Sequence, residues 1–305
     1  MKYTIGCVLL IVCMLHVSKA CDVCGASSSG QGLGLLPQMN RHFAGIQYQY
    51  VELHSRHVPL SELKPVTYSN EYYRTAQLWG RYCIGDRWQL FVFAPYRFNN
   101  STHLQGNSAN GVGDISILVN YVLVPNSDSY GVIQHRLQAG TGIKLPTGKY
   151  TGISEQDKRG LPNMQPGSGA FDIPFNTNYT LQYRSIGLNT DVSYVLTTAG
   201  ADGYKYGNKL NVQLNSFYRT KYRSVILLPM VGLRAEHSGH DYDNYTKKWQ
   251  NQQSGGYILS YVAGMQLYIK QIGVQLQYSR PCAQYYSVGN INAVQRLDTG
   301  LMILL

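Results

Sequence analysis

Long stretches of this chain alternate apolar and polar residues with a period of two. In the segment 186–197 one face is mainly apolar, with Ile186, Leu188, Thr190, Val192, Tyr194 and Leu196. The other face is mainly small or polar, with Gly187, Asn189, Asp191, Ser193, Val195 and Thr197. Because successive side chains of a β-strand point to opposite faces, this pattern predicts strands with one apolar and one polar face.

The alternation predicts about twelve strands, a number typical of outer-membrane barrels. We place them at 42–54, 72–84, 87–98, 112–124, 131–145, 169–183, 186–198, 207–219, 222–236, 256–269, 272–280 and 293–305. Short turns and longer polar connections alternate between them, as in barrels with short periplasmic turns and long extracellular loops. Since the first connection is long and the strand number is even, both ends of the barrel are predicted to be periplasmic.

The composition favours a membrane barrel over a soluble sheet protein. Only 14% of the residues are charged, whereas about a quarter is usual in soluble proteins. A soluble sandwich or lipocalin-like barrel would expose many Lys and Glu on its polar face, but here that face is mostly Asn, Gln, Ser, Thr and Gly. We therefore predict an all-β fold, a transmembrane antiparallel up-and-down β-barrel.

The segment before the first strand predicts export. Lys2 precedes an apolar stretch at 5–17, which is too short to span a bilayer as a helix, and Ser18-Lys19-Ala20 fits a cleavage site. We divide the chain into a signal peptide at 1–20, a periplasmic leader or partial plug at 21–41, and an outer-membrane β-barrel at 42–305.

Charged residues on the polar strand faces are the main candidates for function. We expect them to face the lumen: Asp114, Arg136, Lys144, Asp172, Asp191, Arg234, Glu236, Arg296 and Asp298. Charges of both signs could set a field along a pore, or they could pair and brace a narrow barrel. About twelve strands lie between filled barrels of about eight strands and open ones of about 16, so the lumen could be open or constricted.

The reactive side chains give few signs of a metal site or of an enzyme. Cys21 and Cys24 form a C-x-x-C motif that could be a redox dithiol or half of a metal site, although lipidation of Cys21 or a disulfide is the simpler interpretation. His237 and His240, near Asp241 and Asp243, are the best metal patch, but such loop residues are more often solvated. No Gly-x-Ser-x-Gly motif is present. We expect no metal, no other cofactor and no enzymatic activity.

The net charge of +10 could suit anionic lipid headgroups or anionic solutes. The basic residues do not form the clustered runs of a nucleic-acid binder, so we expect no nucleic-acid partner. The expected partners are outer-membrane lipids, a small-molecule solute and the barrel-insertion machinery, while the oligomeric state stays open.

Several runs of residues together resemble a family of Gram-negative outer-membrane barrels described as transporters, which is related to the meta-pathway phenol-degradation barrel proteins. These runs are Cys21–Gly25, Gly34–Gln38, Gln89–Tyr96, Gly111–Ile115 and Gly142–Lys149. The resemblance implies an outer-membrane location and the passage of small solutes, including hydrophobic or aromatic ones. It implies no catalytic residues.

The sequence thus supports three hypotheses of different classes. The first is an outer-membrane channel or transporter, whose lumen-facing polar residues would act on the solute. The second is a plugged structural or surface-binding barrel, and the third, which we favour least, is a lipid-acting barrel enzyme.

Overall fold

The computed structural model describes residues 41–57, 65–102, 108–125, 133–151 and 162–305. The predicted signal peptide, nearly all of the leader and the motif of Cys21 and Cys24 lie outside the described residues. No helix in the described ranges is both long enough and apolar enough to cross a membrane.

The described residues form sixteen β-strands. These are β1 (Phe43–His57), β2 (Thr67–Ile84), β3 (Trp88–Ser101), β4 (Ser108–Val112), β5 (Ile115–Val124), β6 (Ile133–Leu145), β7 (Ile173–Tyr183), β8 (Ile186–Leu196), β9 (Lys209–Tyr218), β10 (Thr220–Tyr222), β11 (Val225–Ser238), β12 (Tyr242–Asp243), β13 (Lys248–Trp249), β14 (Gly256–Ile269), β15 (Ile272–Tyr286) and β16 (Ile291–Leu304).

Twelve of these strands close into an antiparallel barrel, which confirms the predicted all-β, up-and-down fold. Each barrel strand pairs with the next in the order β1, β2, β3, β5, β6, β7, β8, β9, β11, β14, β15 and β16, and β16 pairs with β1. Strand β4 pairs with β3 beyond a break at 113–114, β10 extends a turn, and β12 and β13 form a small hairpin.

The alternation that predicted the strands also sets which face points inward. On β7 and β8 the apolar residues Phe175 and Leu188 are exposed on the outside, while Asn178 and Asn189 are buried inside. Exposed aromatic residues lie near both ends of the barrel, and aliphatic residues such as Val231 lie between them. An outward apolar band with aromatic residues at both edges is typical of transmembrane barrels.

Six strands run further toward the long connections than the sequence predicts, namely β1, β2, β3, β11, β15 and β16, whereas β7, β8 and β9 stop short of their predicted bounds there. Strand β15 continues to Tyr286, so the long connection predicted at 281–292 is wrong, and only residues 287–290 join β15 to β16. The extension at 281–286 pairs with β14 although its exposed residues, among them Cys282 and Ala283, show no apolar alternation. Backbone pairing therefore continues beyond the apolar band, where the apolar–polar alternation no longer indicates a strand.

The two described chain ends meet at the end of the barrel with the short turns, which we call the turn end. Phe43 is opposite Leu304, and the Leu305 N–H donates to the His42 carbonyl at 2.9 Å. The longer connections lie at the opposite end, the loop end. These two ends frame the lumen.

Candidate functional site

Apolar side chains fill the lumen at the turn end. They come from strands around most of the wall and all are buried: Phe43, Trp79, Phe91, Phe93, Leu118, Phe217, Leu228, Met230, Tyr268, Met302 and Leu304. We call this group the turn-end cluster. The Phe43 and Trp79 rings meet edge to face with centroids 4.6 Å apart. Such close aromatic packing leaves this part of the barrel filled rather than hollow.

Two glycines on the wall make room for this cluster. A Cβ at Gly187 would lie 2.1 Å from Cζ of Phe217, and a Cβ at Gly273 would lie 2.7 Å from Cγ of Met302. Both distances are far below van der Waals contact. The large side chains therefore lie directly against the backbone of the neighbouring strands.

Two buried arginines accompany the turn-end cluster. The Arg81 guanidinium lies 5.2 Å from the Phe43 ring centroid and 5.9 Å from that of Phe91, and it donates two hydrogen bonds to the Arg41 carbonyl. Arg136, one of the predicted lumen residues, is also buried, and its Nε and Nη2 have no hydrogen-bond partner among the described residues. The structure thus separates Arg136 from the other predicted charges.

A segment of the connection between β6 and β7 narrows the lumen at the loop end. Residues Pro162–Met164 form a short 3₁₀ helix, and Met164 is buried in a second cluster, the loop-end cluster, of Val51, Leu53, Tyr73, Met164, Ile258, Tyr286 and Ile291. Asn99 Nδ2 donates to the Met164 carbonyl at 3.0 Å, and the Tyr206 hydroxyl donates to the Pro162 carbonyl at 2.8 Å. These contacts hold the segment inside the barrel mouth.

Three of the predicted lumen charges meet beside this segment. Lys144 forms an ion pair with Asp172 and lies 3.5 Å from Asp114. Asp114 also accepts hydrogen bonds from the Ser168 N–H at 2.8 Å and the Ser168 hydroxyl at 2.7 Å, and Asp172 accepts one from the Thr198 N–H at 3.0 Å. The two carboxylates therefore attach the connections at 146–172 and 197–208 to the wall.

Four other predicted charges form a second network on β11 and β16. Arg296 Nη1 lies 2.9 Å from Glu236 Oε1, and Arg296 Nε lies 3.0 Å from Asp298 Oδ2. Arg234 Nη1 lies 3.3 Å from Asp298 and donates through Nε and Nη2 to the Gln213 side chain. Both arginines are buried, so each is paired as a buried ion must be.

The remaining predicted charge, Asp191, is buried on β8 and accepts a hydrogen bond from Asn178 Nδ2 at 2.9 Å. Asn178 in turn accepts from Asn189 Nδ2 at 3.1 Å. Asp191 thus belongs to an amide-rich wall formed by β7 and β8.

Between the two apolar clusters the barrel encloses a cavity of about 170 Å³. Seven of the nine predicted charges line it, namely Asp114, Lys144, Asp172, Asp191, Arg234, Arg296 and Asp298, while Arg136 and Glu236 lie outside its lining. Arg97 and Lys209 also line the cavity, and the sequence analysis missed them. Lys209 stands on the polar face of a predicted strand, in step with Asn211, so strand parity could have found it, whereas Arg97 shares its face with Phe91 and Phe93 and gives no such signal.

The candidate metal patch at 237–243 holds its loop together instead. Asp241 accepts hydrogen bonds from the Gly207 N–H at 2.7 Å and the Tyr204 hydroxyl at 2.6 Å, and His240 Nδ1 lies 2.5 Å from the Ser254 carbonyl. In the part of the chain that the structure describes, no three His, Cys, Asp or Glu residues are grouped to hold a metal ion.

Further contacts of chemical interest lie at the loop end. His57 Nε2 and Ser69 Oγ are 2.7 Å apart, but both side chains are buried on the lumen side rather than exposed on the outer surface. The Tyr150 hydroxyl donates to Asp202 at 2.6 Å, and burial together with this carboxylate raises the pKa of Tyr150 above its ordinary value. The phenol is therefore neutral at physiological pH.

Comparisons with solved structures recover the same fold. An outer membrane channel from Pseudomonas putida F1 shares 15% identity, with 87% of this chain and 95% of that chain covered and a TM-score of 0.62. The beta domain of the Bordetella autotransporter BrkA shares 9% identity, with 86% and 99% covered and a TM-score of 0.50. In sequence comparisons neither a protein-family description nor a curated protein matches the chain. At these identities the similarity shows only a shared fold. That fold occurs both in a channel and in an autotransporter domain.

Proposed function

We propose that this protein is an outer-membrane channel that passes small solutes through the cavity in its lumen. The observation that carries the proposal is a cavity lined by charged residues inside a closed barrel, between two clusters of buried apolar side chains. Burial of each ion costs several kcal/mol of hydration, so a cavity lined by charges is costly to the stability of the barrel, and a role in solute passage accounts for that cost.

The proposed location follows from the outer surface and the topology. The outward apolar band with aromatic edges suits a bilayer, and strands of about 9–11 tilted residues are enough to cross one. In this proposal the signal peptide at 1–20 directs export, the barrel-insertion machinery assembles the barrel, and the turn end with both termini faces the periplasm. The long connections then face the outside.

Small solutes fit the proposal better than large ones. The cavity of about 170 Å³ has roughly the volume of one small organic molecule, and both apolar clusters restrict access to it. The five runs that resemble the phenol-degradation barrel proteins support hydrophobic or aromatic solutes. The aromatic side chains of the turn-end cluster offer such a solute an apolar surface.

Planar-bilayer recording and liposome swelling test the proposal together. Purified full-length protein should give small, discrete current steps, and it should admit small solutes to liposomes faster than larger ones. Liposomes prepared without protein are the control. If neither ionic current nor solute flux appears at any voltage or solute size, the protein is not a channel.

The filled turn end favours a second function, a plugged barrel whose long loops bind a partner. Buried aromatic residues at this end would then be permanent packing rather than a gate. The two functions differ in one measurement: shortening the connection at 239–255 should abolish partner binding by a plugged barrel, but should leave the conductance of a channel measurable.

A further inference from the structure

Two cations that line the cavity have nearby carboxylates but form no direct ion pair with them in the described part of the chain. Arg97 on β3 and Lys209 on β9 line the cavity, yet neither forms an ion pair within the described ranges. The buried Nε of Arg97 also has no hydrogen-bond partner there. The other three cations of the cavity, Lys144, Arg234 and Arg296, are each paired with a carboxylate.

The carboxylates nearest to Arg97 and Lys209 are already engaged elsewhere. Both oxygens of Asp114 accept backbone hydrogen bonds, from Gly148 at 3.1 Å and from Ser168 at 2.8 Å. Asp172 is held by Lys144 and the Thr198 N–H.

Asp241, the third acid near Lys209, has both oxygens bonded to loop groups, the Gly207 N–H and the Tyr204 hydroxyl. None of the three acids can turn toward the free cations without releasing a loop.

The two cations line the same cavity, so both contribute positive electrostatic potential to it. Lys209 lines the same cavity as Arg97 and Lys144 and is repelled by their charges, while Asp241 and Asp172 attract it. The Arg97 side chain packs against the backbone at Gly113, where a Cβ would lie 3.4 Å from Arg97 Nε, 3.2 Å from the Pro166 carbonyl oxygen and 3.0 Å from the Pro95 side chain. An anion between the two cations would relieve the repulsion and would accept charge-assisted hydrogen bonds from the ends of both side chains.

We propose that Arg97 and Lys209 form a binding subsite for the oxyanion group of a small organic acid. This inference rests on the proposed channel function and names its solute class. The charged group, a carboxylate or a phosphate, binds between the guanidinium and the ammonium group. The apolar body of the solute lies toward Leu118 and Met230, which line the same cavity and belong to the turn-end cluster.

Binding to the full-length protein in detergent micelles tests the subsite without requiring conduction. Three probes share one aromatic ring: benzoate, phenyl phosphate and the uncharged benzyl alcohol. Isothermal titration calorimetry should show that at least one of the anions binds about tenfold or more tightly than benzyl alcohol, as expected for charge-assisted hydrogen bonds. The stronger of the two anions identifies the oxyanion group.

Charge-neutralising variants locate the binding. We expect Arg97→Gln and Lys209→Gln each to weaken anion binding about tenfold, with no change for benzyl alcohol. Arg97→Lys should restore part of the affinity. The double variant Arg219→Gln/Lys221→Gln removes the same two residue types from exposed positions at the turn end and is the matched control. Circular dichroism and the difference in gel migration between heated and unheated samples show whether each variant is folded.

The outcomes separate this inference from the channel proposal. Equal anion binding by wild type and by folded Arg97→Gln/Lys209→Gln overturns the subsite, and so does equal binding of benzoate, phenyl phosphate and benzyl alcohol. If Arg97→Gln does not fold, unchanged binding by Lys209→Gln has the same meaning. Conductance without anion binding refutes the subsite alone, whereas anion binding without conductance refutes the channel and leaves the subsite supported.

Discussion

The two halves of this lumen use opposite chemistry on the same twelve strands. At the turn end, inward positions carry Phe, Trp, Met and Leu, and their side chains fill the space. In the centre, inward positions carry Arg, Lys, Asp and amides, and a cavity remains. Full burial of one large apolar side chain contributes about 1.5–3 kcal/mol, whereas burial of an ion costs several kcal/mol. The turn end therefore stabilises the barrel, and the centre is the part available to a solute.

The strongest test of this comparison is a cavity made in the turn-end cluster. Phe93 is 1% exposed and packs against the rings of Trp79 and Phe91. We expect Phe93→Ala to lower the free energy of unfolding by about 3–5 kcal/mol, because lost burial and an unfilled cavity add together. It should also raise the single-channel conductance, since the filled end becomes more open.

The matched control is Phe98→Ala on the same strand. Phe98 faces outward and is 40% exposed, so its truncation leaves the lumen unchanged. Urea titration of the folded barrel and bilayer recording give both readouts. Similar losses of stability in the two variants would show that the turn-end cluster does not dominate the stability of the barrel.

The second test removes a charge that holds a loop in the lumen. Asp114→Asn takes the negative charge from Lys144 and weakens the contacts to Ser168 and Gly148. Removing one partner of a buried ion pair costs about 3–5 kcal/mol, and the lower end applies here because Lys144 keeps Asp172. We expect a wider loop end and a higher conductance.

Asp86→Asn serves as the control for Asp114→Asn. It makes the same chemical change at a residue that is exposed in the turn between β2 and β3. A conductance that is identical in both variants would indicate that the segment at 162–168 does not restrict the lumen.

The sequence predicted the β-strands well because each strand carries its own signal. The alternation at Leu188 and Asn189 needs only the local pleat, and the structure places these residues outside and inside as expected. The extension of β15 to Tyr286 escaped prediction because a bulge at Cys282 interrupts the alternation, so that the neighbours Cys282 and Ala283 are both exposed.

The site was less predictable, because it depends on contacts between distant parts of the chain. No feature of the sequence around Asp114 shows that its carboxylate accepts hydrogen bonds from Ser168, 54 residues later. For the same reason the sequence could not show that Arg97 and Lys209 would form no ion pair with any of the residues that the structure describes. Strand parity gives the direction of a side chain, but the folded loops decide which charges stay free.

The third test concerns the network on β11 and β16. Arg234→Gln removes a cation paired with Asp298 and bonded to Gln213. The loss should be about 1.5–3 kcal/mol, the value of a charged hydrogen bond, because Arg296 still balances Asp298. Reversal potentials in asymmetric salt should shift toward cation selectivity. An unchanged reversal potential would mean that permeating ions do not pass this network.

The smallest expected effect lies outside the lumen, at the contact between Tyr150 and Asp202. Tyr150→Phe removes one hydrogen bond of 2.6 Å and should cost about 0.5–1.5 kcal/mol with no change in conductance. The raised pKa of the phenol adds a dependence on pH. Because the folded state holds the proton more tightly than the unfolded state, this contribution is complete below the ordinary pKa of 10.0 and is lost as the pH rises toward the folded value.

Unfolding titrations from pH 8 to pH 11 should therefore show a steeper loss of stability above about pH 10 for the wild type than for Tyr150→Phe. Tyr245→Phe is the control, since it removes the same hydroxyl group from a side chain that is 64% exposed. Parallel curves for the wild type and Tyr150→Phe would contradict a neutral, hydrogen-bonded phenol. A conductance change in Tyr150→Phe would instead show that this contact affects the lumen. The Tyr150–Asp202 contact would then influence conduction, as we expect of Asp114, and would not only stabilise its loop.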